Sequence, residues 1–504
     1  MDGAGQSQSG GDPGFAFDNS YQRLPDRFFE RLAPTPVKDP QLIKVNEALA
    51  EMLGLDVAAL TSKAGVAMLS GNQVPEGAEP IAMAYAGHQF GGFVPQLGDG
   101  RAILLGEVVG RDGLRWDIQL KGSGPTRFSR MGDGRAALGP VLREYIVSEA
   151  MAALGIPTTR SLAAVMTGEY VFRDGPLPGA VLTRVARGHI RVGTFQYFAA
   201  RSDVEGLRLL ADHVIDRFYP ELKSAERPYM ALFEQISARQ AALVASWLLI
   251  GFIHGVMNTD NMSIAGETID YGPCAFMDAF DPATVFSSID QHGRYAYGSQ
   301  PSIAQWNLAR LGETLLPLIN TDEDAAVADA TAVLEKFPTF FSEVYFSGLK
   351  RKIGLLQDDE NDGALVTQLL GLMRAAGADF TMTFRRLCDA VAEDADLSEL
   401  HEMFAPGNPE GLTAWLDAWR ARGAHEALDV MKRREMMLAT NPLYIPRNHL
   451  IEAAIKAAET NGDLTKFETL VEVLSRPFEE QPGMDLYTKP PLPEEVVSAT
   501  FCGT

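Results

Sequence analysis

Cysteine is scarce: Cys274, Cys388 and Cys502 are the only ones in 504 residues. Three are too few for a disulfide framework, and their wide separation excludes the paired spacing of a zinc site. That usage suits a reducing compartment, and a bacterial cytoplasm is the expected location. Positive charge is also short, with 44 Lys and Arg against 66 Asp and Glu, a net charge of −22. The imbalance argues against partners such as nucleic acid or an anionic membrane, both of which need a basic footprint. No apolar run is long enough to span a bilayer, and the longest, around 241–253, reads as a buried core helix. Residues 1–14 (MDGAGQSQSGGDPG) lack the apolar segment of a signal peptide and read as a disordered tail.

What remains is an ordinary globular composition, 46% hydrophobic and 22% charged, with ample material for a core. The chain divides by character into an N-terminal extension at 15–79, a β-rich part at 80–193, a helical part at 194–440 and a C-terminal helical extension with an irregular tail at 441–504. The extension is expected to hold short helices, one around 42–53. Strands are expected at 101–109 and 116–121, joined by the Gly-flanked turn 110–113. Trp116, Ile118 and Leu120 alternate with Asp117, Gln119 and Lys121, the period of a half-buried strand. A helix follows, with Pro140 in its first turn and Gly155 past its end. Helical patterns then run over 204–218, 229–256, 302–317, 323–346, 362–375, 380–391, 410–438 and 448–474. A small β-rich part followed by a large helical part is the order of a bilobal α+β protein-kinase-like fold.

Several residues carry chemistry. Lys121 ends its strand, and Glu144 lies on the same helical stripe as Val147, Met151 and Leu154. A carboxylate on a buried face is costly unless paired, and Lys121 is the natural partner. A strand lysine held by a helix glutamate is how kinases position nucleotide phosphates. Two Gly-Asp-Gly-Arg turns, Gly98 to Arg101 and Gly132 to Arg135, could bring backbone amides to phosphate, although neither is a Walker A loop and the kinase GxGxxG is absent. Within 184–191 (RVARGHIR), three arginines suggest an anion site in so acidic a chain. The segment 252–264 (FIHGVMNTDNMSI) leaves a long helix and enters a hairpin turning at 265–267. Against the kinase loop HRDxxxxN, His254 takes the histidine position, Asn261 the metal-binding asparagine and Asp270-Tyr271-Gly272 the place of Asp-Phe-Gly. Their oxygens suit Mg²⁺ or Mn²⁺. The position of the kinase base is Val256, which cannot take a proton, and Asp260 is the nearest carboxylate that could. His254 reads as structural. Cys274 and Cys502 are either unrelated thiols or a redox bridge, which would need Cα atoms within ~7 Å.

The segments 85–91 (YAGHQFG), 96–101 (QLGDGR), 119–126 (QLKGSGPT), 131–135 (MGDGR) and 258–264 (NTDNMSI) together resemble the selenoprotein O family of protein adenylyltransferase pseudokinases, over most of the chain. The resemblance implies a kinase-like fold that binds ATP flipped relative to kinases and transfers AMP to Ser, Thr or Tyr hydroxyls of protein substrates. It implies nucleotide contacts from Gly98, Gly100, Arg101, Lys121, Asp133, Gly134 and Asp270, phosphate contacts from Arg184 and Arg191, and Glu144 as the partner of Lys121. It further implies Asn261 and Asp270 as ligands of Mg²⁺ or Mn²⁺ and Asp260 as proton acceptor. Flipping would explain Val256, because the base must move with the reacting phosphate. A terminal cysteine such as Cys502 and a partner such as Cys274 also fit the family, and a monomer is the working expectation. Two other readings of the residues stay open: an ATP-dependent phosphotransferase, and a nucleotide-binding pseudokinase without turnover.

Overall fold

The computed structural model describes residues 11–501. The bulk of the expected disordered tail and Cys502 lie outside the described residues. Between 29 and 186 the strand-forming segments other than Gly87–Gln89 and Gly92–Val94 make one eight-stranded sheet whose pairings are all antiparallel. Its order is Phe29–Arg31, Ile81–Met83, Ala102–Val109, Arg115–Lys121, Pro176–Ala186, Arg160–Phe172 and Gln41–Val45, with Ala136–Ala137 paired to the side of Pro176–Ala186. Both outer strands come from the N-terminal extension. The expected helix around 42–53 is therefore corrected: Gln41–Val45 is a strand, and the helix is Glu47–Leu53, which begins where the Asn46 side chain accepts from the Leu49 amide.

One face of the sheet carries Ile118, Leu120, Val165 and Val185, fully buried against the short helices of the extension. Each such side chain contributes about 1.5–3 kcal/mol of transfer free energy. The helix Leu138–Ala153 packs on the sheet, joined by the C-terminal helices Asn448–Asn461 and Thr465–Leu474. The Arg115–Lys121 strand is not half-buried as its alternation suggested. Asp117 and Gln119 are as buried as Ile118 and Leu120, because the polar side of the strand meets a layer of arginines.

The remainder is helical, with Pro228–Leu249, Gln300–Ile319 and Glu323–Lys352 packed together. The helix expected at 229–256 ends at Leu249, where Gly251 at φ +74° turns the chain into the short strand Phe252–Ile253. The patterns at 410–438 and 448–474 each resolve into two helices, the second divided by Gly462 at φ +67°. Among the described residues no helix is long and apolar enough to cross a membrane.

Candidate active site

Lys121 closes its strand at the edge of a cleft of about 770 Å³ lying between the sheet and the helical part. The Leu138–Ala153 helix presents Glu144 to it, and Lys121 Nζ donates to Glu144 Oε2 at 2.5 Å. The same ammonium donates to Asp270 Oδ1 at 3.2 Å, which brings the two ends of the sequence pattern together.

Two arginines complete the cluster. Arg184 faces Gln119 across the strand pair and donates to its side-chain oxygen at 2.6 and 3.1 Å. Its Nη1 also reaches Asp270 Oδ1 at 2.6 Å and Glu144 Oε1 at 3.3 Å. Arg191 donates to Asp270 Oδ2 at 2.5 Å and to the Asp260 carbonyl at 2.6 Å, with its guanidinium 4.7 Å from the Tyr85 ring centre. Burial alone would raise Asp270, but Arg191, Arg184 and Lys121 outweigh it and hold the carboxyl well below the usual range. Asp270 stands at φ +64°, a left-handed conformation that aims its carboxylate into this ring of cations.

The run 184–191 thus divides. Arg184 and Arg191 enter the cleft, whereas Arg187 lies 5.6 Å from the Trp116 ring centre and His189 hydrogen-bonds Asp117 at 2.8 Å. Burial pushes His189 down to about 4, so it is neutral near pH 7.

The loop after Phe252–Ile253 is held from inside. His254 Nε2 bonds the Ile269 carbonyl at 2.9 Å and Nδ1 faces the Val256 amide at 3.4 Å, which makes it a structural residue as expected. The arms of the hairpin expected after 254 do not pair with each other: Ser263 bridges to Arg191 and Thr268 to Thr158. The loop is thereby tied to the β-rich part and not to itself. Asn261 donates Nδ2 to the Val256 carbonyl at 2.9 Å, leaving its side-chain oxygen as the end for a cation. Asp260 is buried, and burial raises it to about 6 against the pull of Arg191. Its Oδ2 accepts from Gln89 at 3.4 Å, while the buried Oδ1 has no hydrogen-bond partner.

Gly98, Gly100, Arg101, Asp133 and Gly134 all line the cleft. Gly98 is required for close approach, since a Cβ there would sit 2.3 Å from the Phe128 ring. Asp133 is exposed and takes Arg173 at 2.9 and 3.1 Å, so it enters the cleft already paired. Cys274 is buried with its thiol pushed up to about 12, and the chain returns near it where Thr500 Oγ1 bonds the Pro273 carbonyl at 2.5 Å.

Sequence reasoning missed Gln119, Asp99, Tyr85, Gln89 and Arg173. Asp99 is buried, raised by burial to about 6, and accepts from Gln119 at 3.2 Å. The signal for Gln119 was present: it alternates with Lys121 on one face of one strand.

Asn261, its amide tethered through Nδ2, and the anionic Asp270 offer oxygen donors of the kind a hard divalent cation takes. The cationic set of Lys121, Arg184 and Arg191 fits the phosphates themselves.

A family model described as "Protein adenylyltransferase SelO" matches residues 14–475. The chain is 64% identical over 490 residues to the "Protein nucleotidyltransferase YdiU" of Rhizobium johnstonii, covering 97% of each. It is 62% identical to the proteins of that name from Rhizobium etli, again over 97% of each, and from a Bradyrhizobium species, over 97% of this chain and 99% of the relative.

Proposed function

This chain belongs to the SelO family of protein adenylyltransferases and is a nucleotidyltransferase; on that premise we propose that it transfers AMP from ATP to Ser, Thr or Tyr hydroxyls of other proteins, in a bilobal kinase-like cleft with ATP flipped. The observation that carries the reading is the pairing of Val256 at the kinase-base position with three cations, Lys121, Arg184 and Arg191, gathered on Asp270. A kinase needs a proton acceptor at that position, whereas transfer from the α-phosphate places the acceptor hydroxyl elsewhere.

Lys121, oriented by Glu144, and the two arginines bind the triphosphate and neutralise its charge as pyrophosphate leaves. Asn261 and Asp270 would hold Mg²⁺ or Mn²⁺, which when bound supplies further charge neutralisation at the phosphates. Asp260 takes the proton of the attacking hydroxyl. Its oxygen without a hydrogen-bond partner and its carboxyl raised by burial suit that task better than those of a salt-bridged aspartate. Gly98, Gly100 and Gly134 let the backbone approach the nucleotide closely.

The test is retention of label. Protein substrates incubated with the enzyme, metal and α-labelled ATP should become labelled, and γ-labelled ATP should leave them unlabelled. Label from γ-ATP alone would establish a phosphotransferase. Label from neither, with ATP still bound, would establish a pseudokinase without turnover.

A further inference from the structure

The reactive aspartate has a neighbour that the nucleotide chemistry does not use. Strands Gly87–Gln89 and Gly92–Val94 form a separate two-stranded hairpin against the turn Thr259–Asn261. It is pinned there by His88 N to Thr259 Oγ1 at 2.7 Å and by Gln89 to Asp260. At its tip Phe90 stands at φ +51°, a region that bulky side chains avoid at a cost of about 1–3 kcal/mol. Asn258 holds the strained residue through the Phe90 amide at 3.0 Å, and Tyr295 flanks the ring at 5.1 Å. The hairpin thus carries two solvent-facing rings, Phe90 and Phe93, 39% and 42% exposed, and packs against the turn that holds Asp260.

The surface next to these rings is basic. Arg294 lies over Gly91 and stacks on Trp306 at 4.8 Å, and Arg310 stacks on Trp306 at 5.2 Å. His88 meets the edge of the same indole at 5.3 Å. At the base of the hairpin Arg201 bonds the Pro95 carbonyl. Among the described residues, Arg294 and Arg201 are engaged by rings and carbonyls and not by carboxylates. Asp290, the nearest acid in sequence to Arg294, is turned inward to the amides of Arg294 and Tyr295 at 2.9 and 2.7 Å. Only Arg310 has an acidic partner, Glu313, itself half exposed. A chain at −22 that leaves cations unneutralised beside aromatic rings has a surface complementary to an acidic, partly apolar peptide.

We propose that this hairpin, with Trp306 and the arginines at 294, 310 and 201, is the docking ledge for the protein acceptor. The proposal rests on the adenylyltransferase reading and names its substrate class: a hydroxyl residue flanked by Asp or Glu and by an apolar side chain. Phe90 and Phe93 receive the apolar neighbour, the arginines draw in the acidic flank, and the hydroxyl arrives at Asp260.

Three synthetic peptides test it, each with one Thr acceptor and one Leu, flanked by Glu, by Gln or by Lys. Their AMP transfer from α-labelled ATP is measured as kcat/KM. The wild type should favour the Glu peptide over the Lys peptide by about tenfold, a preference that shrinks at high salt. Arg294→Glu and Arg310→Glu should each reduce that ratio and together invert it, with ATP affinity by calorimetry unchanged. Calorimetry also certifies that each variant is folded, and Arg201→Glu substitutes for any that is not. Equal rates on the three peptides, or a ratio untouched by charge reversal, would overturn the ledge while leaving adenylylation intact. Absence of AMP transfer by the wild type to peptides and to whole proteins alike would instead remove the adenylyltransferase reading, and the ledge with it.

Discussion

Arg184 and Gln119 sit directly opposite each other on neighbouring strands, and the amide oxygen of one receives two N–H groups of the other, at 2.6 and 3.1 Å. Gln119 therefore fixes the plane of a guanidinium that faces Glu144 and Asp270 at the same time. Gln119→Leu keeps the volume and removes the acceptor. We expect it to weaken ATP binding by about tenfold and to lower stability by about 1–3 kcal/mol. Calorimetry with ATP and a denaturation curve read the two effects separately; unchanged ATP affinity would show that Arg184 is positioned by its carboxylates alone.

Asp260→Ala should reduce AMP transfer by about 10²–10⁴ while changing ATP affinity by less than about threefold. Initial rates with α-labelled ATP, paired with calorimetry, distinguish loss of the proton acceptor from loss of the nucleotide site. A wild-type rate in the variant would take Asp260 out of the reaction.

Chelation should abolish transfer, and either Mg²⁺ or Mn²⁺ should restore it. In Asn261→Ala the metal concentration for half-maximal activity should rise by at least about tenfold. A metal titration that superimposes on the wild type would assign the ion to other ligands.

Glu267 gives a prediction about pH. Burial pushes its carboxyl up to about 8, against the hydrogen bond from the Arg187 amide. A carboxyl raised on folding costs no stability below its ordinary value of 4.5, where both states are protonated, and the protein loses stability progressively as pH climbs from there to about 8. Glu267→Gln keeps the acceptor without the charge. Its melting temperature should match the wild type near pH 4, pull ahead of it as pH rises, and exceed it by about 1–3 °C near pH 9. Parallel melting curves across that range would refute the shift.

The parts of the site that the sequence made legible were those where one residue type constrains another. Glu144 on an apolar stripe demanded a cation, and Lys121 supplied it. Val256 at a base position demanded another carboxylate, and Asp260, four residues on, lines the same cleft. What stayed hidden depends on layers that period-two alternation cannot report. Asp117, Gln119 and Lys121 looked like a wetted strand face, yet Arg217 at 2.6 Å, Arg184 and Glu144 cover them in turn. Helix ends were lost for a related reason: the continuous apolar pattern through 249–253 suits a buried helix and a buried strand equally, and Gly251 alone marks the change. The strand Gln41–Val45 has little apolar contrast of its own and owes its conformation to pairing with Arg160–Phe172.

That strand and Phe29–Arg31 occupy the two opposite borders of the sheet. The path between them must cover six strand spacings, about 29 Å. Ten residue steps reach roughly 33 Å when fully extended, so little slack remains. The segment bonds as it crosses, Leu32 to Pro80, Thr35 to Ser123 and Asp39 to Thr167. It acts as a belt drawn across the strand ends, and the sheet cannot fan open without breaking it. The two strands it joins also cover the hydrogen-bonding rows of Ile81–Met83 and Arg160–Phe172, which would otherwise recruit a neighbouring molecule. Shortening the chain from its start would thus be felt first as stickiness between molecules and only afterwards as loss of the nucleotide cleft.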